Sequence, residues 1–173
     1  MADLNLRAAF IPAYRAGPDT YWLGLGVIAL IDAVRLTLTG GAGMLPWLFI
    51  LFFTASININ RLRDAGRQPP LAIIPLAAGV LAKSITALFT SAFIAMDAFL
   101  VAQGVDTGDS GQVMGVVGAP EFQAEYQSYL MANPDVMAEA LQAAAWASTW
   151  AYWLAVGAVA LWFARMRPRP RAV

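Results

Sequence analysis

The chain of 173 residues contains neither cysteine nor histidine. Those two absences exclude disulfides, thiolate nucleophiles, Cys/His zinc sites, histidine-held haem and any histidine general base. Carboxylates survive as metal ligands in principle, yet the 11 Asp and Glu residues form no tight cluster along the sequence. Neither a metal nor a cofactor is expected. Lysine is nearly missing too, with Lys83 alone beside ten arginines. Charge as a whole is scarce, at 13% of residues against 60% hydrophobic, which is too apolar for a soluble domain of this size. A transmembrane span takes about 20 apolar residues, so four spans and their loops use most of the length. No room is left for a soluble catalytic domain.

What is present is apolar sequence with its arginines placed unevenly. The stretches 21–39, 45–59, 71–101 and 140–164 are long and apolar enough to cross a bilayer. Arg7 and Arg15 precede the first, Arg61, Arg63 and Arg67 follow the second, and Arg165, Arg167, Arg169 and Arg171 follow the fourth. The connections 40–44 and 102–139 carry no Lys or Arg, and the longer one holds Asp106, Asp109, Glu121, Glu125, Asp135 and Glu139. Under the positive-inside rule both termini and the 60–70 loop face the cytoplasm of a bacterial inner membrane. Orientation accounts for nearly all the arginines, so a basic patch for nucleic acid is a poor reading. The N-terminus is read as lacking a cleavable signal, because Asp3 and Asn5 interrupt it before any apolar core forms.

Boundaries follow from breakers and caps. Residues 1–18 read as a cytoplasmic interfacial segment carrying Leu4, Leu6, Phe10, Ile11 and Tyr14, with Pro12 interrupting any helix. Spans are expected at 20–39, 45–64, 70–103 and 134–166, with a tail at 167–173. Gly40 to Gly43 makes a tight outer turn, and Gly66 is suited to cap the second helix. Asn133-Pro134 opens the fourth, with Asn as cap and Pro in the first turn. Spans three and four each run to roughly 33 residues, about 50 Å of helix against an apolar core of about 30 Å. They are therefore expected to extend beyond the outer face as a helical hairpin. Between them, 104–133 reads as outer loop, with 104–118 irregular and a short amphipathic helix at 120–132. On that helix Phe122, Tyr126, Tyr129 and Leu130 share one face.

Lys83 is the sharpest anomaly, about 18 Å along the third span and so near mid-bilayer. A charge there costs about 2.5–3.5 kcal/mol on insertion scales and has to face protein. Asp32 lies at a matching depth in the first span, and Arg35 is one turn away on its face. A Lys83–Asp32 bridge with Arg35 alongside is expected, serving either as an ion or ligand pathway or as a pair that fixes helix register. At the end of span two, Asn58, Asn60, Arg61, Arg63, Asp64 and Arg67 form a polar cluster. Arg61, Arg63 and Arg67, with Asp64 to hold one of them, suit anionic lipid headgroups or a partner.

Two small-residue ridges repeat every four residues: Ala87, Ser91 and Ala95 in span three, and Ala143, Ala147, Ala151 and Ala155 in span four. Such ridges let membrane helices approach closely, and the two are expected to pack together. Trp146, Trp150 and Trp153 form a stripe beside the second ridge, to face lipid or a partner.

One segment carries a family likeness. Tyr14-Arg15, Tyr21-Trp22, the run from Asn60 to Arg67 and Pro75-Leu76 together resemble the YhaH-like bacterial inner-membrane family, a domain of unknown function, over about residues 12–80. That family's motif after its second span resembles Arg-Arg-Leu-His-Asp-x-Gly-x-Ser. Arg61, Leu62, Asp64 and Gly66 fit it, while Asn60, Arg63 and Gln68 stand where Arg, His and Ser are expected. The resemblance implies a four-helix membrane protein and brings no activity with it.

The sequence therefore predicts an all-α integral membrane four-helix bundle, N-in and C-in, as a single membrane domain. Its expected role is non-catalytic, as an accessory or stabilising subunit, or scaffold, of a larger membrane complex. Its expected partners are the lipid bilayer and other membrane subunits or further copies of itself. The competing reading is a small transporter or channel using Asp32, Arg35 and Lys83.

Overall fold

Glycine and proline punctuation sets the helix ends in the computed structural model, which describes residues 7–40 and 43–167. After a short helix α1 (Arg7–Phe10), α2 (Pro18–Thr39) starts on Pro18 and stops at Gly40, whose φ of 59° is left-handed. Helix α3 (Met44–Asp64) ends in a Schellman closure. There the Arg67 N–H donates to the Leu62 carbonyl at 2.8 Å and the Gly66 N–H to that of Arg63 at 3.1 Å. A 3-10 turn (Pro69–Ala72) leads into α4 (Ile73–Ala102). This closes in the same way around Gly104, with the Val105 N–H on the Leu100 carbonyl at 3.0 Å. Then follow α5 (Ser110–Val117), α6 (Phe122–Ala132), α7 (Pro134–Ala143) and α8 (Ala145–Ala164). Among the described residues all regular structure is helical, and four helices are long and apolar enough to cross a membrane: Pro18–Thr39, Met44–Asp64, Pro69–Ala102 and Ala145–Ala164. Leu4, Leu6, Gly41, Arg169 and Arg171 lie outside the described residues.

Two expectations are corrected. Segment 104–118 is not all loop, because α5 forms within it. Asp109 caps that helix, its carboxylate accepting from the Gly111 N–H at 2.8 Å and, more weakly, the Gln112 N–H at 3.4 Å. An Asp followed by Ser-Gly-Gln is a readable cap, and the glycines around it masked the signal. The fourth helix, expected unbroken over 134–166, divides at Ala144, where ψ rises to −8°. No glycine or proline marks that point. Ala140 and Ala144 are both completely buried, and the division falls where they pack.

The chain packs as two compact units, one made of residues up to Lys83 together with Thr149 onward, the other Ser84–Ser148. In the first, α2 lies along α3 and α1 packs against both, with the Phe10 and Phe53 rings edge to face at 5.0 Å. Its core joins Tyr21, Leu25 and Ile28 of α2, Ile50, Ile57 and Leu62 of α3, and Tyr152, Val156, Ala160 and Phe163 of α8. In the second unit Phe99 is fully buried beneath Phe122, Tyr126 and Tyr129, at ring separations of 5.8, 5.5 and 5.4 Å. These are three of the four residues expected on one face of α6. Burial there pushes the Tyr126 phenol above its ordinary pKa.

Helix α4 runs unbroken through Gly79. That glycine is a contact point. A Cβ at Gly79 would lie 2.7 Å from the Tyr152 ring and 2.8 Å from Val156 Cγ2, so only hydrogen lets α4 and α8 approach this closely. Gly79→Ala is expected to cost about 1–3 kcal/mol by overpacking. The check is a lower thermal unfolding midpoint in mild detergent, and an unchanged midpoint would remove Gly79 from the packing account.

Candidate functional site

The polar residues at the end of α3 form one connected structure. Segment 11–16 is not helical beyond Ile11, since Pro12 cannot continue a ladder, and its backbone groups need partners from elsewhere. Asn60 provides three. Its Nδ2 donates to the Ile11 carbonyl at 2.7 Å, its Oδ1 accepts from the Tyr14 N–H at 3.1 Å, and its own carbonyl accepts from the Ala16 N–H at 3.1 Å. Arg63 adds a bond to the Pro12 carbonyl. Two residues earlier, Asn58 accepts from the Tyr21 hydroxyl at 2.8 Å and donates to the Thr54 carbonyl at 2.7 Å.

Arg61 is the largest fully buried side chain, at 0% exposure. Its guanidinium meets the end of α8, where the last carbonyls lack the α-helical partner four residues on, although that of Phe163 also accepts from the Met166 N–H at 3.2 Å. Nε donates to the Phe163 carbonyl at 3.1 Å, and Nη2 donates to the Ala164 carbonyl at 3.0 Å and to that of Met166. Nη1 bonds Asp64 Oδ2 at 2.8 Å. A cation here also complements the negative end of the α8 dipole. Arg61 and Asp64, expected to meet lipid or a partner, are instead bonded within the chain, Arg61 to backbone carbonyls and Asp64 to Arg61. Arg63 and Arg67 remain exposed. With Arg15, Tyr14, Ala13, Gly66 and Pro69 they line a cleft of about 440 Å³.

Deeper in the same unit lies the charged group centred on Asp32. The Asp32 carboxylate is held by two groups other than Lys83. Asp32 Oδ1 pairs with Arg35 Nε at 2.8 Å and Oδ2 accepts from Trp153 Nε1 at 2.9 Å. Lys83 donates to Thr149 Oγ1 at 2.9 Å, and its ammonium lies 6.0 Å from the centre of the Trp47 ring, at cation–π range. A neutral indole N–H takes the place expected for the lysine, and it satisfies the carboxylate without a third charge. Arg35 Nη1 is buried without a hydrogen-bond partner.

The tryptophan stripe therefore divides. Trp146 and Trp150 are exposed, while Trp153 turns inward onto Asp32. The ridges divide too. Ser91 and Ala95 are buried and Ala87 half-buried, but Ala143 and Ala147 are exposed and Ala151 and Ala155 half-buried. The buried positions are Ala140, Ala144 and Ser148, continuing as Tyr152, Val156 and Ala160. This is the same four-residue repeat one position later. The all-alanine ridge at 143, 147, 151 and 155 is thus the more exposed one, and the buried register carries Ser148, Tyr152 and Val156. In the second unit Asp97 lines a mainly apolar cleft of about 420 Å³ with Phe93, Met96, Leu100, Thr107 and Val113. Among the described residues no three carboxylates gather as metal ligands would.

No family model, curated protein or solved structure matches this chain. The site is thus read from its own geometry.

Asp32→Leu would strand the Arg35 guanidinium in a buried position. The expected loss is about 3–5 kcal/mol, the usual penalty for breaking a buried pair from one side. The double variant Asp32→Leu/Arg35→Leu is expected to recover much of it, because both charges leave together. Unfolding midpoints in mild detergent check this; a double variant no better than the single one would refute the pairing as drawn.

Proposed function

We propose that this chain is a non-catalytic, multi-pass protein of a bacterial inner membrane, acting as an accessory or stabilising subunit, or a scaffold, of a larger membrane complex. Both termini are cytoplasmic in this reading, because the arginines flank the spans on one side and the 102–139 connection carries only carboxylates. Helix α4, at 30 residues or about 45 Å, is longer than an apolar core of about 30 Å. Its excess is assigned to a projection on the outer side. The likeness of Arg61, Leu62, Asp64 and Gly66 to the YhaH-like family fits this reading without adding an activity.

The observation that carries the assembly role is the sparse burial of the third span. Only 17% of its most apolar window is buried, against 44% in Met44–Asp64. Leu81, Ile85, Leu88, Phe89 and Phe93 are all exposed along it. Exposed Ala143 and Ala147 leave a low surface beside Trp146 and Trp150, of the kind a second helix can approach closely. The polar side chains buried at the end of α3 are meanwhile spent on the chain's own backbone, which supports a structural use for them. A transporter reading is favoured by one feature, the unpartnered Arg35 Nη1 beside Asp32.

The mass of the particle released from native membranes in mild detergent tests the assembly role. A particle heavier than one 18.5 kDa chain is expected, falling towards a single chain in Ala147→Trp. A lone chain from native membranes would overturn the proposal. An ion flux lost in a stable, correctly assembled Asp32→Leu/Lys83→Met protein would move the balance to transport.

A further inference from the structure

The fold brings three guanidinium groups to one cleft and leaves two of them without a partner. Arg15 comes from the irregular segment before α2, Arg63 from the last turn of α3, and Arg67 from the residue that completes the Schellman closure. Left-handed Gly66, at φ 65°, turns the chain so that Arg63 and Arg67 line the same cleft. Arg63 is fixed by its bond to the Pro12 carbonyl, and that bond also holds the Ala13–Arg15 wall in place. Among the described residues no carboxylate or carbonyl partners the guanidinium of Arg15 or Arg67. Asp64, the carboxylate nearest in sequence to Arg63 and Arg67, is taken by Arg61. Three like charges thus line one cleft with no ion pair to any of them among the described residues, an arrangement that an anion stabilises.

We propose that this cleft binds a phosphate group, carried either by the headgroup of an anionic lipid or by a free phosphate ester. Planar guanidinium forks match phosphate oxygens two at a time, which a lysine cannot do. The volume of about 440 Å³ falls within the usual range for small-ligand sites. Tyr14 supplies an aromatic wall of the kind found at headgroup level. The cleft also lies where one apolar helix ends at Asp64 and the next begins at Pro69, the depth at which lipid phosphates sit. This site goes beyond the accessory-subunit reading and stands whether or not the chain assembles with others.

The test uses the full chain, reconstituted in phosphatidylcholine alone or with phosphatidylglycerol. Retained lipid is counted by native mass spectrometry, and inorganic phosphate and glycerol 3-phosphate are titrated against the unfolding midpoint. Arg15→Gln/Arg67→Gln is compared with Arg165→Gln/Arg167→Gln, which removes two exposed charges from outside the cleft. The first variant is expected to bind about tenfold more weakly or worse, and the second to bind as the unaltered chain does. Phosphatidylglycerol retention without an effect of the soluble esters assigns the site to a headgroup, and stabilisation by the soluble esters in phosphatidylcholine assigns it to a free ester. Equal losses in the two variants would mean diffuse charge and overturn the site, as would binding of neither probe. In the unaltered chain, a bound phosphate should also shield Arg67 from phenylglyoxal more than it shields Arg165. Equal labelling of the two would likewise overturn it.

Discussion

A single buried guanidinium ties together the parts of this protein that are far apart in sequence. Removing a charge from water costs several kcal/mol even after relaxation, and the cost is recovered only where every donor finds an acceptor. Each nitrogen of Arg61 finds an acceptor among carbonyls at the end of α8 and Asp64, one turn along its own helix. The exchange is mutual. The helix end gains donors it cannot supply itself, and the charge gains acceptors without importing a counter-helix. Asn60, next in sequence, does the same for the Ile11–Ala16 segment. Two adjacent residues of α3 thereby hold the chain's beginning and its last helix to the same turn.

Much of this fold was readable in advance. Apolar length marked the four long helices. Gly40 and Gly66 marked two of their ends because each performs a backbone task that other residues do poorly, whereas Pro18 starts its helix two residues before the expected 20. The contacts of Arg61 were not readable. A run such as Asn-Arg-Leu-Arg-Asp describes an interfacial basic loop equally well, and only tertiary structure shows which arginine points inward. The same limit applies to Trp153. Its spacing from Trp146 and Trp150 placed it in a stripe, whereas a carboxylate on another helix decides its orientation. In α8 the buried register carries Ser148, Tyr152 and Val156 and not the all-alanine ridge, and the division at Ala144 carries no breaker residue at all. Spacing reads backbone chemistry well. It reads pairwise side-chain choices poorly when the candidates are alike in size or charge.

Charge in this chain is therefore used in two modes. Asp32, Arg35, Arg61 and Asp64 are drawn into short, largely dehydrated contacts that set helix positions. Arg15 and Arg67 stay exposed at the ends of the long helices, with their hydrogen-bonding capacity unspent.

The absence of cysteine makes the central contact directly measurable, since introduced thiols label without background. Nitroxides at the exposed positions of Gln68→Cys and Arg167→Cys report the distance between the end of α3 and the end of α8 by pulsed electron paramagnetic resonance. A narrow distribution is predicted in the otherwise unaltered chain, and a broad one once Arg61→Met frees the last turn of α8. A distribution equally narrow in both would contradict the role given to Arg61.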